Sequence, residues 1–426
     1  MNEDRVDGRT AISASLARLE SWFSSVRDED GYYGPSIGAN GWTMAFCGPA
    51  FDWRYEGILR AYASRYEATG KSVYRDFIEQ DVEAIVRAQW RNGCFSVSHF
   101  ENNPCEGGMP HEPAMLSGVC RVIPFLETWG YAGLSRAYDA VEKYITEYLI
   151  RQLWNKTLRT FNCWPTSDFV SYNPHCVASV LELLIRYAAL TDSWNRFESY
   201  IVESGRSILA VQIAEGPLRG GIPATSNERD RVYPYWAVRC LPAIRLLAAK
   251  TQCPDYIAAL SLMKGFLSPW SADVTAYPHV LWADRPPRAL PFLVGAGADS
   301  IMRLLDAELM DREEALRQAQ RLLPYQLPTG AFRTAVGFGG RKRTCDWRDI
   351  VPVCGWLDKI YALSSLLCSG DVPDVEPAGP FETDVRVVWR PVRFRETRDE
   401  MVMEKRNGTK VYHWVKRTRW PLVCLL

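Results

Sequence analysis

A short pattern, Q-x-x-x-G, recurs along this chain at a nearly constant spacing. The copies begin at Gln89, Gln212 and Gln326, with Arg27 and the looser Gln152 filling the series. Successive copies are 62, 63 and 60 residues apart, and the last gap of 114 residues spans two steps with one degenerate copy near residue 268. Six copies at a fixed period predict a repeat architecture, in which neighbouring units together bury apolar faces that no single unit can bury.

Each repeat unit has helical spacing of its apolar residues, interrupted once. In the first complete unit, Ile58, Leu59 and Tyr62 form one stripe, Gly70 breaks it, and Val82 belongs to the stripe that follows. Similar pairs are predicted at 113–129 with 133–152, 175–190 with 193–212, 232–250 with 254–268, and 286–307 with 311–326. Single helices at 9–27 and 347–368 can pair with each other. The sequence therefore predicts an all-α fold, a closed (α/α)6 toroid of six helical hairpins over residues 1–370.

The sequence pattern changes after Gly370. A linker at 371–377 contains two prolines and three acidic residues, and beyond it Asn407-Gly408 provides a hairpin turn between short alternating runs that include Val385, Val387 and Trp389. We expect residues 371–426 to form this linker and a small β-hairpin extension that packs on the toroid.

Charge and composition limit the classes of partner. Lys and Arg together number 50, as do Asp and Glu, so bulk charge gives no indication of a nucleic-acid partner. The polar start and the lack of an apolar run near ~18 residues predict a cytoplasmic protein without an integral membrane segment. The 12 cysteines form no C-x-x-C pair, so reduced thiols are expected. His111, His175-Cys176 and Cys345-Asp346 have no regular ligand spacing, and no metal site is predicted.

The repeats also carry a family resemblance. Gln89-x-x-x-Gly93-x-Phe95 and Gln326-x-x-x-Gly330-x-Phe332 resemble the QW motifs of the squalene cyclase and protein prenyltransferase β-subunit superfamily, whose members are α/α toroids. The resemblance spans about residues 9–368. The stretch from Asp230 to Trp236 is similar to the prenyltransferase segment that leads into an inner helix, although Val232 replaces the zinc-binding cysteine of that family. Six-hairpin glycosidases, uronate hydrolases, polysaccharide lyases and sugar epimerases also carry Gln-to-Gly turns between helices.

The starts of the inner helices are the predicted functional region. In a closed toroid, six helix N-termini converge on one mouth, each with unpaired N–H groups and a partial positive charge. Here these segments mix carboxylates, histidines, arginines and aromatic residues, whereas a structural helix start needs only one capping residue. The candidate catalytic residues are Asp346, Asp349, Glu112, His111 and Asp230. The candidate substrate-binding residues are Asp52, Trp53, Arg54, Glu56, His175, Arg231, Tyr235, Trp236, Trp282, Arg285, Trp347 and Arg348.

The first functional hypothesis is a terpene-cyclase-like enzyme acting on an isoprenoid. Proton-initiated cyclisation requires a strong acid in an apolar cavity and aromatic faces that stabilise carbocations. The acid would come from Asp346 or Asp349, since the segment between them resembles the D-x-D-D motif of class II cyclases. Arg348 stands where the protonating aspartate should be, which implies either a different acid, Glu112 or Asp230, or a different reaction on a related scaffold. The substrate would be a small apolar or anionic molecule. No cofactor is expected, except Mg²⁺ if the substrate is a diphosphate.

The alternative is a carbohydrate-active enzyme of the six-hairpin type. Glycoside cleavage requires two carboxylates across the scissile bond, and several pairs are available among Asp52, Glu56, Glu112, Asp230 and Asp349. For a uronate substrate, Arg285 or Arg288 could hold the carboxylate, and His111 with Tyr235 could move the C5 proton in a lyase or epimerase. A third hypothesis, a toroid that only binds protein or lipid, is disfavoured by the mixed charges at the predicted mouth.

Overall fold

The structure is a computed structural model, and it describes residues 8–34, 37–40, 43–46, 50–96, 109, 111–165, 170–271, 273–338, 345–373, 375, 379–387, 390–419 and 422–423. The described part of the chain contains thirteen α-helices: α1 Gly8–Val26, α2 Arg54–Thr69, α3 Ser72–Ala88, α4 His111–Trp129, α5 Leu134–Lys143, α6 Pro174–Leu190, α7 Trp194–Val211, α8 Pro234–Thr251, α9 Pro254–Ser271, α10 Val294–Asp306, α11 Arg312–Gln320, α12 Trp347–Ile350 and α13 Cys354–Leu367. A π-helical segment, Tyr144–Leu153, continues α5.

The helices form two concentric rings. Helices α2, α4, α6, α8, α10 and α13 pack side by side as the inner ring, and α13 closes it by packing on α2. Helices α3, α5, α7, α9 and α11 each pack outside the inner helix that precedes them, while α1 packs on α13 and α11 to complete the sixth hairpin. Inner helix α6 is buried on nearly every side, whereas outer helix α11 buries only one face, as two-layer packing requires. The predicted closed (α/α)6 toroid is confirmed.

The recurring glutamine links neighbouring outer helices. In the three clear copies, the side-chain amide donates a hydrogen bond to a carbonyl near its own turn and another to a carbonyl in the next outer helix. The acceptors in the next helix are Ala140 for Gln89, Ala259 for Gln212 and Ser15 for Gln326, at 2.8, 3.0 and 2.9 Å. The last of these links joins the turn after α11 to α1 and so closes the outer ring. The looser Gln152 instead donates to Glu147 in the preceding turn.

Three predicted helices begin, continue or end differently from the sequence pattern. The helix predicted at 286–307 begins only at Val294, because three prolines between residues 286 and 291 cannot lie inside a regular helix without loss of hydrogen bonds. The helix predicted at 347–368 is divided into α12 and α13 by Pro352. The helix predicted at 311–326 ends as an α-helix at Gln320, and a 3₁₀ turn, Leu323–Tyr325, follows.

The strands are short within the toroid and longer near the C-terminus. Two-stranded pairs are β1 Ile37–Asn40 with β2 Thr43–Phe46, β3 Trp154–Asn155 with β4 Thr160–Phe161, β5 Arg231–Val232 with β6 Leu281–Trp282, and β7 Phe292–Leu293 with β8 Ala335–Val336. A six-stranded sheet contains β9 Cys345–Asp346, β10 Phe381–Val387, β11 Arg390–Glu396, β12 Glu400–Glu404, β13 Lys410–Val415 and β14 Leu422–Val423. Strands β10 to β14 form an antiparallel meander, and β9 pairs with β10 in parallel.

The predicted small C-terminal β extension is therefore present. Asn407-Gly408 lies in the turn between β12 and β13, while Trp389 and three residues of the predicted linker, Asp374, Glu376 and Pro377, lie outside the described residues. The sheet docks on the toroid through Glu396, whose buried carboxylate accepts hydrogen bonds from Trp22 in α1 (2.7 Å), Thr329 (3.0 Å) and Lys416 (2.9 Å). The domain boundary at residue 370 stays a prediction.

Within the described ranges, one apolar helical stretch satisfies the length and composition of a membrane span. Trp347–Leu367 has a mean hydropathy of 1.3 over its 18-residue window, and 89% of that window is buried inside the protein. This stretch includes α13, an inner helix of the ring, and the core helix of a toroid passes the same test of length and composition.

Candidate active site

An aromatic cavity of about 120 Å³ lies where the N-terminal ends of the inner helices meet. Trp53 precedes α2, His175 lies in the first turn of α6, Tyr235 and Trp236 lie in the first turn of α8, and Trp356 lies in the first turn of α13. Each of these helices starts at the same end of the ring, because the outer helices return the chain to that end. The toroid thus collects side chains from distant parts of the sequence around one opening.

One part of the lining of this aromatic cavity is a row of four rings in contact, with a histidine at each end. The imidazole of His175 lies parallel to the indole of Trp236, with ring centroids 4.4 Å apart and an interplanar angle of 13°. Trp236 contacts Tyr233 at 4.3 Å, and Tyr233 meets His279 edge-on at 5.5 Å. Both imidazoles line the cavity, so two groups able to transfer protons flank one aromatic surface.

A second group of lining rings consists of two tryptophans and a tyrosine. Trp53 and Trp356 meet edge-on with centroids 4.8 Å apart, and Tyr235 packs against Trp356 at 5.7 Å. The Tyr235 hydroxyl is buried and has no hydrogen-bond partner among the described residues. Burial raises the pKa of Tyr235 well above its ordinary value, so the phenol stays protonated and can donate a hydrogen bond to a ligand.

The protonation state of His279 follows from its surroundings. Burial, together with the positive charge of Arg288, lowers the pKa of His279 to about 4. The imidazole is therefore neutral at pH 7, and a ring nitrogen is available to accept a proton. His279 is one of five histidines in the chain, but it precedes the segment around Trp282 in which site residues were expected, so the sequence interpretation missed it.

Arg239 forms the floor of the aromatic cavity. Its Nη1 donates to the carboxylates of Glu56 and Asp299, at 3.1 Å each, and its Nη2 donates to Ser179 at 3.3 Å. Glu56 also accepts from Lys359, at 2.7 Å. Although burial opposes it, these cations hold the pKa of Glu56 well below its usual range, and the same balance lowers the pKa of Asp299. Both carboxylates are ionised, and they face the floor arginine rather than the open cavity.

The two D-W-R sequences, at Asp52 and at Asp346, form the same local structure. Each aspartate accepts a hydrogen bond from the backbone N–H of the arginine two residues later, Arg54 (3.1 Å) or Arg348 (3.0 Å). The same carboxylate pairs with the guanidinium of that arginine, at 2.7 and 2.8 Å. All four side chains are buried. These residues, which we expected to bind substrate or supply an acid, serve to start helices α2 and α12.

The other candidate acids also lie outside the lining of the aromatic cavity. Asp349 is buried and accepts from the backbone of Phe338 at 2.8 Å, and Glu112 is buried and accepts from the backbone of Phe95. Asp230 is exposed. His111 is buried, and its ring meets the ring of Trp53 at 5.2 Å. None of the five candidate catalytic residues is among the described residues that line the cavity.

Four of the predicted substrate-binding residues are brought together in this cavity: Trp53, His175, Tyr235 and Trp236. Trp347 is buried in the core. Arg285 is exposed and lies over Trp282, 5.1 Å from the ring centroid, and Arg231 lies over Tyr233 while pairing with Glu228. The sequence interpretation missed Trp356, because the break between α12 and α13 makes it a first-turn residue. It also left Arg239 out of the site.

No protein-family model matches the sequence, and no curated protein does. Solved structures do match the fold. A D-mannose isomerase aligns over 86% of this chain and 99% of its own, with a TM-score of 0.57 and 12% identity. An unsaturated glucuronyl hydrolase specific for heparin aligns over 84% and 95%, at 0.56 and 11%. The α-1,6-mannanase from Salegentibacter sp. HEL1_6 aligns over 84% and 98%, at 0.53 and 13%.

This chain has the fold of these carbohydrate-acting toroids. The predicted membership of the squalene cyclase and prenyltransferase superfamily is wrong, and so is the terpene-cyclase-like function inferred from it. The physical reason lies in the glutamine turns, whose hydrogen bonds join adjacent outer helices and are useful to any α/α toroid. The aromatic cavity also contains no Asp or Glu among its described lining residues, so the acid that cyclisation needs is missing there.

The expectation of Mg²⁺ depended on a diphosphate substrate, and it is withdrawn with the isoprenoid hypothesis. Among the described residues, no group of three or more His, Cys, Asp or Glu side chains is arranged to hold a metal ion.

Proposed function

We propose that this protein is a carbohydrate-active enzyme that isomerises or epimerises a sugar by proton transfer at a carbon next to its carbonyl group. The observation that carries this proposal is the pair of cavity-lining imidazoles, His175 and His279, at the two ends of one aromatic row. The fold shared with sugar-acting enzymes supports the substrate class, and the side chains of the cavity support the reaction class.

The walls of the cavity suit a sugar. The apolar C–H faces of a pyranose or an open-chain sugar pack against aromatic rings such as Trp356, while its hydroxyl groups need hydrogen-bond partners at the edges. Tyr235 offers a buried hydroxyl, and Arg239 offers a charged donor at the floor. A mostly aromatic lining with a few polar groups is the usual composition of a small-molecule site.

The proposed reaction uses one imidazole as base and the other as acid. Neutral His279 removes the proton from the carbon next to the carbonyl, and the electron pair moves onto the carbonyl oxygen to give an enediolate. The positive charge of Arg239 stabilises the negative charge that develops on oxygen. For isomerisation, the hydroxyl proton on that carbon passes to the former carbonyl oxygen, and His279 returns its own proton to the neighbouring carbon. For epimerisation, we assign to His175 the delivery of a proton to the same carbon from the other face, after which His279 releases its proton to solvent and His175 takes one up. No net oxidation occurs, and the proton count is unchanged.

Glycoside hydrolysis is less well supported by this site. A glycosidase needs a protonated carboxyl group with a raised pKa and a second carboxylate across the bond. The nearest carboxylates, Glu56 and Asp299, have lowered pKa values and are bonded to Arg239 beneath the cavity. A group that stays ionised cannot protonate a leaving glycosidic oxygen.

The test is incubation of the protein with a panel of free aldoses, ketoses and uronates in D2O, followed by proton NMR. We expect a new isomer or epimer, with deuterium at the carbon next to the carbonyl. Substitutions H279Q and H175Q should each lower kcat by about 10²–10⁴-fold. The control is H413Q, because His413 pairs with Glu400 in the C-terminal sheet, remote from the cavity. Release of a sugar from a glycoside or unsaturated uronide, without deuterium uptake into free sugars, would show a hydrolase instead.

A further inference from the structure

A second, smaller cavity lies inside the inner ring beneath Arg239. Its described lining comes from α2, α4, α6, α10 and α13, and its volume is about 10 Å³, compared with about 120 Å³ for the aromatic cavity. Glu56 and Asp299 line the smaller cavity and bind Arg239, which lines the larger one. The two cavities are thus stacked along the axis of the toroid, with the floor arginine between them.

The charged groups around this axial cavity do not balance. The described residues of the network include five carboxylates, Glu56, Glu182, Asp299, Asp306 and Asp358, and six cations, Arg60, Arg121, Arg186, Arg239, Arg303 and Lys359. Five of the cations have an ion-pair partner within this set. Burial also raises the pKa of Asp358 to about 7, so that carboxyl is partly neutral at physiological pH and the positive excess is larger still.

Arg121 is the one cation of this set that has no described carboxylate within ion-pair distance. It lines the axial cavity from α4, and no described residue gives its guanidinium a hydrogen bond or an ion pair. Asp306 is bound by Arg60 at 2.7 Å, and Glu182 is bound by Arg186 at 2.8 Å, so the nearby acids are already engaged. Burial and repulsion from Arg60 and Arg186 outweigh the attraction of Asp306 and Glu182 and lower the pKa of Arg121 to about 9, which still leaves it charged at neutral pH.

A cation largely removed from water that has neither a hydrogen bond nor an ion pair is costly, and proteins ordinarily pair such a group or bind an ion to it. The negative end of the α4 dipole does not compensate the charge of Arg121. Its effect is confined to the last turn of the helix, and α4 continues for about two turns beyond Arg121, to Trp129. The small volume further limits what can bind. A space of this size is comparable with that of one water molecule, so a phosphate group or a sugar is excluded.

We propose that the axial cavity binds one small monovalent inorganic anion, chloride under cellular conditions, with Arg121 as its principal partner. The ion restores charge balance to the network and reduces the repulsion among Arg60, Arg121 and Arg186. Because the same network holds Glu56 and Asp299 against Arg239, the bound ion also stabilises the floor of the aromatic cavity. This proposal does not depend on the reaction proposed above, and it can be tested without a substrate.

The first test is thermal unfolding at constant ionic strength in sodium chloride and in sodium methanesulfonate, an anion too large for the axial cavity. We expect a saturable increase in Tm of about 2 °C or more in chloride. R121M should lose this increase and, in methanesulfonate, unfold at a temperature no lower than the unaltered protein, because it removes an unpaired charge. R245M is the matched control and should retain the increase, since Arg245 pairs with the exposed Glu308 at the same end of the ring. Equal Tm values in both salts, or an unchanged chloride response in R121M, would overturn the proposal.

A second test locates the ion and does not require a variant to fold. Crystals of the full chain soaked in sodium bromide should show an anomalous peak at the Arg121 guanidinium inside the ring. Bromide peaks confined to the outer surface, with water in the axial cavity, would overturn the proposal.

A conservative variant gives a third test. R121K should bind chloride more weakly, with the midpoint of the Tm increase moved to higher chloride concentration, because lysine keeps the charge but loses the planar fork of donors.

Discussion

At the scale of single residues, the Tyr235 hydroxyl shows how the aromatic cavity is prepared for a ligand. This hydroxyl is buried with no hydrogen-bond partner among the described residues, and an unsatisfied buried donor costs about 1–3 kcal/mol of folding free energy. A ligand oxygen placed against it recovers that cost on binding. The free protein is therefore less stable than it could be, and the difference becomes part of the binding free energy.

Replacement of Tyr235 by phenylalanine should separate these two effects. We expect Y235F to raise the unfolding free energy of the free protein by about 1 kcal/mol, because the unpaired hydroxyl is gone. It should also raise KM for the sugar by about tenfold, the equivalent of one lost hydrogen bond of about 1.4 kcal/mol. Urea unfolding and steady-state kinetics measure the two quantities. In Y256F, the control, a hydroxyl that donates to Val202 at 3.2 Å is removed, so stability should fall and KM should stay constant. A destabilised Y235F would show that the hydroxyl is paired in the free protein.

The lowered pKa of His279 gives a second prediction at this scale. Since burial holds its pKa at about 4, below the ordinary 6.5, the unfolded chain takes up a proton at a higher pH than the folded chain does. The stability contribution of neutral His279 is therefore complete above pH 6.5 and is lost as pH falls from about 6.5 to 4. The difference in unfolding free energy between the unaltered protein and H279Q should shrink over this interval. If His279 is the base, the acid limb of kcat/KM also lies near pH 4 and not near 6.5.

At the scale of elements, the Q-x-x-x-G turns hold the outer helices together, and their glycines are under different constraints. Gly330 has φ +90°, and an added Cβ would lie 2.3 Å from the backbone oxygen of Arg18 in α1. Gly216 has φ +78°, but nothing lies within 4 Å of the corresponding position. Both turns need the left-handed conformation, and only the turn after α11 also needs the space that a methyl group would fill.

These two glycines form a matched pair for mutation. G216A should cost about 1–2 kcal/mol, the strain of a left-handed alanine alone. G330A should cost about 3 kcal/mol or more, because the turn must also move away from the α1 backbone and lengthen the bonds from Gln326 to that helix. Guanidinium unfolding of the two variants gives the comparison. Equal losses would mean that the contact between this turn and α1 relaxes without cost.

The helices and turns are the parts of the molecule that the sequence predicts best. Helix periodicity and turn glycines are local properties, so all six hairpins were found from the spacing of apolar residues. The proline-rich segment before α10 moves one helix start by eight residues, from residue 286 to Val294. His279 was missed for a separate reason, because it precedes the segment around Trp282 in which site residues were expected. The repeated glutamines were interpreted as a family motif, whereas in the structure they join adjacent outer helices. Both roles produce the same spacing in the sequence, so the spacing alone does not distinguish them.

The site itself could be predicted only in part, for a physical reason. The charged floor is assembled from Glu56, Arg239 and Asp299, whose positions are separated by 183 and 60 residues in the chain. Glu56 lies at a helix start and was among the candidates, but Arg239 and Asp299 lie further along their helices, where no local pattern marks them as site residues. By contrast, Asp52 and Asp346 lie in D-W-R segments that are easily recognised in the sequence. In the structure, each of these carboxylates accepts a backbone N–H at a helix start and does not line the cavity.

At the scale of the whole molecule, the two ends of the chain close the ring together. The side chain of Gln326 accepts from Arg18 at 2.7 Å and donates to Ser15, which fixes α1 to the turn after α11. The C-terminal sheet then covers this junction, because Glu396 accepts from Trp22 of α1 and pairs with Lys416. Strand β9, from the toroid, is itself part of that sheet. The extension is thus structurally continuous with the closure of the ring.

A chain that ends at Gly370 should therefore not fold normally. Truncation removes Glu396, leaves the buried indole N–H of Trp22 without its acceptor, and removes the strand that pairs with β9. We expect the full chain to unfold in one calorimetric transition, and the shortened chain to be insoluble or to unfold at least about 10 °C lower, a loss of several kcal/mol. The control is E396Q in the full chain, which keeps an acceptor for Trp22 but leaves buried Lys416 without its counter-charge, at a cost of about 3–5 kcal/mol. A shortened chain with an unchanged Tm would show that the toroid closes without the sheet, and that residue 370 is a true domain boundary.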